Sequence, residues 1–231
     1  NIGYLFLQKI CSELRMHNIC RNIRNHHKFA YDFHAILTDL IYARILAPSS
    51  KLSSYKYCHS LLEPPKYSLQ DLYRALSVLA EESDFIQEEL YKNSNFVHPR
   101  NSKILYYDCT NYYFEIEAED GMKKYGKSKE HRPNPIVQMG LFMDNNALPI
   151  TYELFPGNTN DCLTYRPNFG RIKKQFDLGR VITVADKAMT TGDNIWYTIN
   201  TPTHDGYVFS MSIRGAEKSL KNYVLKEDEY E

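Results

Sequence analysis

From the start of the chain to about Asn95, apolar residues recur at three- and four-residue intervals, the spacing of a buried helix face. Phe33, Ile36, Leu37, Leu40 and Ile41 share one such face, and Pro48 ends that segment. Ser49 or Ser50 stands where a cap is needed for a further helix carrying Leu52, Tyr55 and Leu62. Pro64-Pro65 breaks the chain again, and Ser68 with Asp71 resembles a capping box in which Asp replaces the usual Glu. Leu69, Leu72, Leu76 and Leu79 follow at helical spacing, and a short helix holds Phe85, Ile86 and Leu90. The pattern predicts a helical bundle over residues 1–97.

At His98-Pro99 the period changes, which sets a domain boundary and opens a second domain over 98–231. Ile104–Ile116 is rich in β-branched and aromatic residues and predicts a long strand. Ile136–Met143 and Leu148–Leu154 flank Asp144-Asn145-Asn146, whose turn chemistry makes the pair a hairpin. Cys162–Phe176 predicts a helix, with Pro167 and Gly170 weakening its start. Val181–Ala185 is a short strand, Asn194–Ile199 a helix and Tyr207–Ile213 another strand. Three strands followed by alternating helices and strands imply an α+β or α/β fold: a helical domain, then a mixed sheet with helices.

Composition narrows the classes. Hydrophobic residues make up 43% and charged residues 24% of the chain, ordinary values for a folded protein. Basic and acidic side chains number 28 each, so a nucleic-acid surface has to come from local clustering rather than net charge. Five widely spaced cysteines with no CxxC pair suit reduced thiols in a cytoplasmic protein, not a disulfide frame or a zinc knuckle. No apolar run reaches membrane-span length and no signal pattern opens the chain, so no membrane is implied. The chain opens on Asn1 rather than Met and closes on a charged tail, Lys226 to Glu231, which reads as a fragment cut at both ends.

Two aspartates stand in unusual places. Asp108 lies inside the strand Ile104-Leu105-Tyr106-Tyr107-Asp108-Cys109-Thr110, and Asp186 ends the strand Val181-Ile182-Thr183-Val184-Ala185. A carboxylate inside a strand is disfavoured and costly to bury unpaired, and a divalent cation shared with a second carboxylate compensates it. The plainer reading has Asp186 capping the next helix and Asp108 facing water on an edge strand.

The surrounding motifs change that balance. Tyr125-Gly126-Lys127-Ser128-Lys129-Glu130-His131-Arg132-Pro133 precedes the second strand, Phe155-Pro156-Gly157-Asn158-Thr159-Asn160-Asp161 follows the third, and Val184-Ala185-Asp186-Lys187-Ala188-Met189 follows the fourth. In order and spacing, from Tyr106 to Ile213, these resemble the DDE transposases of bacterial insertion sequences. That family shows an Asp on the first strand, a GxSKxHRP loop, a PGNTxD turn and a VADxxM strand end. The resemblance implies an RNase H-like catalytic core that cuts and joins DNA. Asp108 then matches the first catalytic, metal-binding carboxylate and Asp186 the second. The family's third, a Glu beyond a β insertion and inside a Y-x2-R-x3-E-x6-K pattern, has no counterpart: no tyrosine after Asp186 is followed by Arg three residues on. Glu217, Glu227, Glu229 and Glu231 are poor substitutes, and Glu153 or Asp161 would have to be brought in by the fold. The chain therefore reads as lacking its final catalytic residue and inactive by itself.

The implied chemistry is phosphoryl transfer with two Mg²⁺ or Mn²⁺ ions on hard oxygen ligands, about 3.5–4 Å apart. Double-stranded DNA, both transposon ends and target, is the implied partner, held by a homodimer. Lys123, Lys124, Lys127, Lys129, His131 and Arg132 form a basic cluster fit for phosphates, opposed mainly by Glu130, although a lysine-rich loop is often only a solvated one. A second basic stretch, Arg15, Arg21, Arg24, His26, His27 and Lys28, either holds DNA ends or is a solvated helix face. Of the aromatic residues around Asp108, alternation sends about half into the core. Trp196, between Ile195 and Ile199, reads first as core and second as a base contact. Two other classes share these features: a non-catalytic DNA-binding remnant, and a stand-alone RNase H-like nuclease.

Overall fold

The structure is a computed structural model that describes residues 2–226, so Glu227, Glu229 and Glu231 lie outside the described residues. It is a mixed α+β architecture with, among those residues, nine α-helices and one five-stranded mixed sheet. The chain divides into two compact units at Arg100–Asn101. Among the described residues no helix is long and apolar enough to cross a membrane.

The first unit is helical: α1 (Tyr4–Glu13), α2 (Met16–His26), α3 (Phe33–Leu46), α4 (Lys51–Cys58), α5 (Leu69–Glu81) and α6 (Ser83–Ser94). Side-chain caps start three of them. Asp32 accepts from the Ala35 amide on α3, Ser50 from Ser53 on α4, and Ser68 and Asp71 form a reciprocal capping box on α5. Ile19, Ile23, Phe33, Ile36, Leu72 and Ala75 are buried at the centre of its core.

The second unit contains β1 (Ile104–Tyr113), β2 (Ile136–Met143), β3 (Pro149–Pro156), α7 (Asp161–Gln175), β4 (Ile182–Ala185), α8 (Gly192–Ile199), β5 (Gly206–Phe209) and α9 (Lys218–Val224). The sheet order is β3-β2-β1-β4-β5, with β1, β2 and β3 antiparallel and β4 and β5 parallel to β1. The hairpin turn is set by Asp144, whose Oδ1 accepts from the amides of Asn146 and Leu148. β1 is shorter than the apolar run implied, because the Phe114 amide turns to the Pro135 carbonyl. The last strand likewise stops at Phe209, and α9 had no clear signal in the sequence.

Helices α7 and α8 cover one face of this sheet. Tyr107, Phe142, Tyr165 and Phe169 form the buried aromatic cluster there, with centroids 4.5 Å apart for Tyr107 and Phe142 and 5.3 Å for Tyr165 and Phe169. The Tyr107 hydroxyl meets Thr164 Oγ1 at 2.7 Å, and burial raises its pKa. Buried Asp205 accepts from the Val181 amide at 2.8 Å and from Lys173 Nζ at 3.1 Å, fixing the start of β4 against the end of α7. All five cysteines are free thiols, Cys162 alone partly exposed.

Candidate active site

Asp108 lies in β1, the central strand, not at an edge. Exposure alternates along β1: Leu105, Tyr107, Cys109 and Asn111 face the helices, while Tyr106, Asp108 and Tyr112 are exposed on the other face. In β4, Thr183 and Ala185 are buried and Ile182 and Asp186 are exposed, the same alternation. Tyr107 pairs with Ala185 as the last matched position of the parallel pair, so Asp108 and Asp186 each follow by one residue. The two carboxylates thus occupy the same level and the same face of neighbouring strands, which are about 4.8 Å apart.

Each carboxylate is oriented locally. Asp108 Oδ1 accepts from the Cys109 amide at 2.8 Å. Asp186 Oδ1 accepts from Ala188 at 2.9 Å and caps a single 3-10 turn, Lys187–Met189. The capping role is therefore real, and it leaves the other oxygen without a hydrogen bond among the described residues. Neither aspartate has an ion-pair partner among those residues, and exposed, hard oxygen donors of this kind suit Mg²⁺ or Mn²⁺. No group of three His, Cys, Asp or Glu side chains placed to hold a metal occurs among the described residues.

The two internal substitutes for a third carboxylate face the wrong way. Glu153 is in register with Gly140, which is in register with Cys109, so it belongs to the helix-covered face and lies 3.6 Å from Arg171 Nε. Asp161 starts α7 on that same side, accepting from Gln138 Nε2 at 3.0 Å.

The basic loop between β1 and β2 folds back onto β1. Asn111, buried three residues beyond Asp108, donates to the Lys127 carbonyl and accepts from the Lys129 amide, both at 3.2 Å. The Lys129 ammonium also reaches the Cys109 carbonyl. Ser128 closes a turn by accepting from the amide of Arg132 through its hydroxyl and from that of His131 through its carbonyl, and His131 sits at φ 55°. Not every cation is available. Lys123 pairs with Asp120 at 2.9 Å and Lys124 with Glu119 at 3.1 Å, so those acids, rather than Glu130, oppose the cluster. Lys127, Lys129, His131 and Arg132 are exposed, Arg132 lying over the Tyr113 ring at 5.0 Å.

Gly126 packs directly against Gly157 of the PGNT turn, where any Cβ would overlap the Gly157 carbonyl. Gln138 donates to the Thr159 carbonyl at 2.7 Å, and Asn160 caps α7. The glycine and asparagine motifs thus join the basic loop to the end of β3. Asn111 and Gln138 escaped the sequence reading. Their one signal was polarity at strand positions whose neighbours two residues earlier, Cys109 and Ile136, are buried.

Trp196 corrects an expectation: it is 66% exposed. The buried side of α8 is polar instead, with Asn194 donating to the carbonyls of Cys162 and Met189 and Thr198 bonding Tyr165. In the first unit, Arg15, Arg21, Arg24, His26 and Lys28 are exposed, while His27 meets Glu82 at 2.7 Å.

No protein-family profile matches the sequence, and no curated protein matches it. Among solved structures, the chain is similar to a piggyBac transposase synaptic complex with hairpin DNA, at 11% identity and a TM-score of 0.48, over 96% of this chain and 52% of that one. It is similar to a pre-cleavage Mos1 transpososome at 11% identity and 0.34, over 89% and 69%. A Mos1 transposase paired-end complex with the left transposon end matches at 13% identity and 0.30, over 79% and 60%. The chain spans about half the length of the piggyBac transposase chain.

Proposed function

We propose that this chain is the catalytic part of a DDE-type DNA transposase from an insertion sequence, with Asp108 and Asp186 as two of its metal-binding carboxylates. The observation that carries the reading is their placement at one level on the exposed face of adjacent parallel strands. The loop, turn and strand-end motifs around them supply the family likeness.

Bound Mg²⁺ or Mn²⁺ would supply activation of the attacking hydroxyl and charge stabilisation at the leaving oxygen. The chain's own contribution is to hold and orient. The backbone amides of Cys109 and Ala188 each fix one carboxylate oxygen and leave the second for ligation. Lys127, Lys129 and Arg132, on the loop anchored to Asn111, would neutralise duplex phosphates irrespective of sequence, with His131 exposed among them. Two copies acting together would hold two DNA ends.

Among the described residues no third carboxylate joins the pair, and the sequence after Asp186 holds no counterpart of the family's Glu, so this reading expects duplex binding with poor cleavage. Each 1.36 kcal/mol, roughly, of lost transition-state stabilisation slows cleavage tenfold. That same absence favours a second reading, a DNA-binding protein without catalysis.

Purified chain incubated with Mn²⁺ and labelled duplexes carrying the element's own ends tests both. The expected result is duplex binding that weakens with salt, and nicking at no more than a trace. Efficient nicking abolished by Asp108→Ala would show that another donor completes the site. No duplex binding at low salt would overturn the DNA reading altogether.

A further inference from the structure

The helical unit contains a partly open cavity of about 760 Å³, within the size range of small-molecule sites. Three tyrosines, Tyr4, Tyr42 and Tyr67, line it, with the Tyr4 and Tyr42 rings 5.5 Å apart. Asp39 also lines it and is only 8% exposed. Its Oδ2 accepts from the Tyr67 hydroxyl at 2.8 Å, and no cationic side chain pairs with it among the described residues. The nearby bases do not fill that role. Arg15 lies over the Phe96 ring at 3.8 Å, burial lowers the His34 pKa, and Lys66 and His17, also in the lining, are exposed and form no ion pair with Asp39 among the described residues.

We propose that this cavity binds a small alkylammonium ion of the polyamine class, with Asp39 as the anchoring anion and the tyrosine rings around the cationic head. A buried carboxylate without a counter-ion is costly, and a ligand ammonium removes that cost. Aromatic faces attract the same charge. Asp32 and Glu63, also in the lining, provide for a second ammonium along a linear chain. Burial first, with Asp32 and Glu63 adding against the Tyr67 hydrogen bond and the smaller effect of His59, pushes the Asp39 pKa up to about 6, leaving an anion at neutral pH whose field a ligand cation satisfies. A metal ion fits less well, since no three metal-ligating side chains converge among the described residues. This assignment is independent of the active-site reading.

The test is calorimetric titration of the whole chain with spermidine at physiological salt, which suppresses diffuse surface binding. One spermidine per chain is expected, with affinity reduced about tenfold or more in Asp39→Asn, the loss of one charge-assisted contact. Glu63→Gln, at an exposed position, should weaken binding severalfold, and Glu115→Gln in the other unit should leave it unchanged. Absent binding, several equivalent sites, or unchanged affinity in Asp39→Asn overturns the proposal. Should circular dichroism show Asp39→Asn to be unfolded, Glu63→Gln decides, and unchanged affinity there overturns it.

Discussion

Asp186 accepts a hydrogen bond from Ala188 while its strand delivers it to the same face as Asp108. The two roles separate by substitution. Asp186→Asn keeps the capping acceptor and loses the charge, so urea denaturation should place it within about 0.5 kcal/mol of the parent. Asp186→Ala also loses the cap and should cost about 1 kcal/mol. Equal stability of the Asn and Ala variants would remove the cap from the account. Asp39 makes a second residue-scale prediction. Its folded pKa, about 6, lies above the value of an unburied carboxylate, so the folded state binds the extra proton between those limits. Its contribution to stability is therefore full at low pH and is lost as pH rises through about 6. Denaturation of the ligand-free chain at a series of pH values should show this loss in the parent and not in Asp39→Asn. Parallel pH profiles in the two chains would contradict it.

At the scale of elements, the basic loop depends on β1 through Asn111 and on β3 through the Gly126–Gly157 contact. Charge reversal at Lys127 and Arg132 should weaken duplex binding across all sequences and flatten its salt dependence. Lys123→Ala should have a smaller effect, because Asp120 already holds that ammonium. Equal losses at Lys123 and Lys127, measured by fluorescence anisotropy over a salt series, would mean that the ion pairs do not partition the loop. The loop's motif was visible in the sequence, but its anchoring was not. Asn111 is remote from Lys127 along the chain, and only the fold shows its amide completing two backbone hydrogen bonds. Helix α8 was misread for a related reason. Ile195 and Ile199 suggested that Trp196 is buried, yet Asn194 and Thr198 take the inner face because carbonyls and the Tyr165 hydroxyl await them there.

For the whole molecule, the helical half, the hairpin and the order of strands and helices were legible, since proline breaks, caps and turn residues mark them locally. The open face of the sheet was not. Tyr106, Leu141 and Tyr152 on that face are as apolar as Tyr107 and Phe142 on the covered one, so composition does not say which side the helices take. The cavity of the helical unit was equally hidden, being lined by residues far apart in sequence. What the fold adds to the two aspartates is their shared level and face, and the account rests on that juxtaposition holding one divalent cation. Mn²⁺ titration of the whole chain, followed by electron paramagnetic resonance, measures it most directly. The account predicts a Mn²⁺ site of modest affinity that is lost in both Asp108→Asn and Asp186→Asn while the fold is kept. Mn²⁺ binding that survives in either variant, or that is absent from the parent chain, would contradict it.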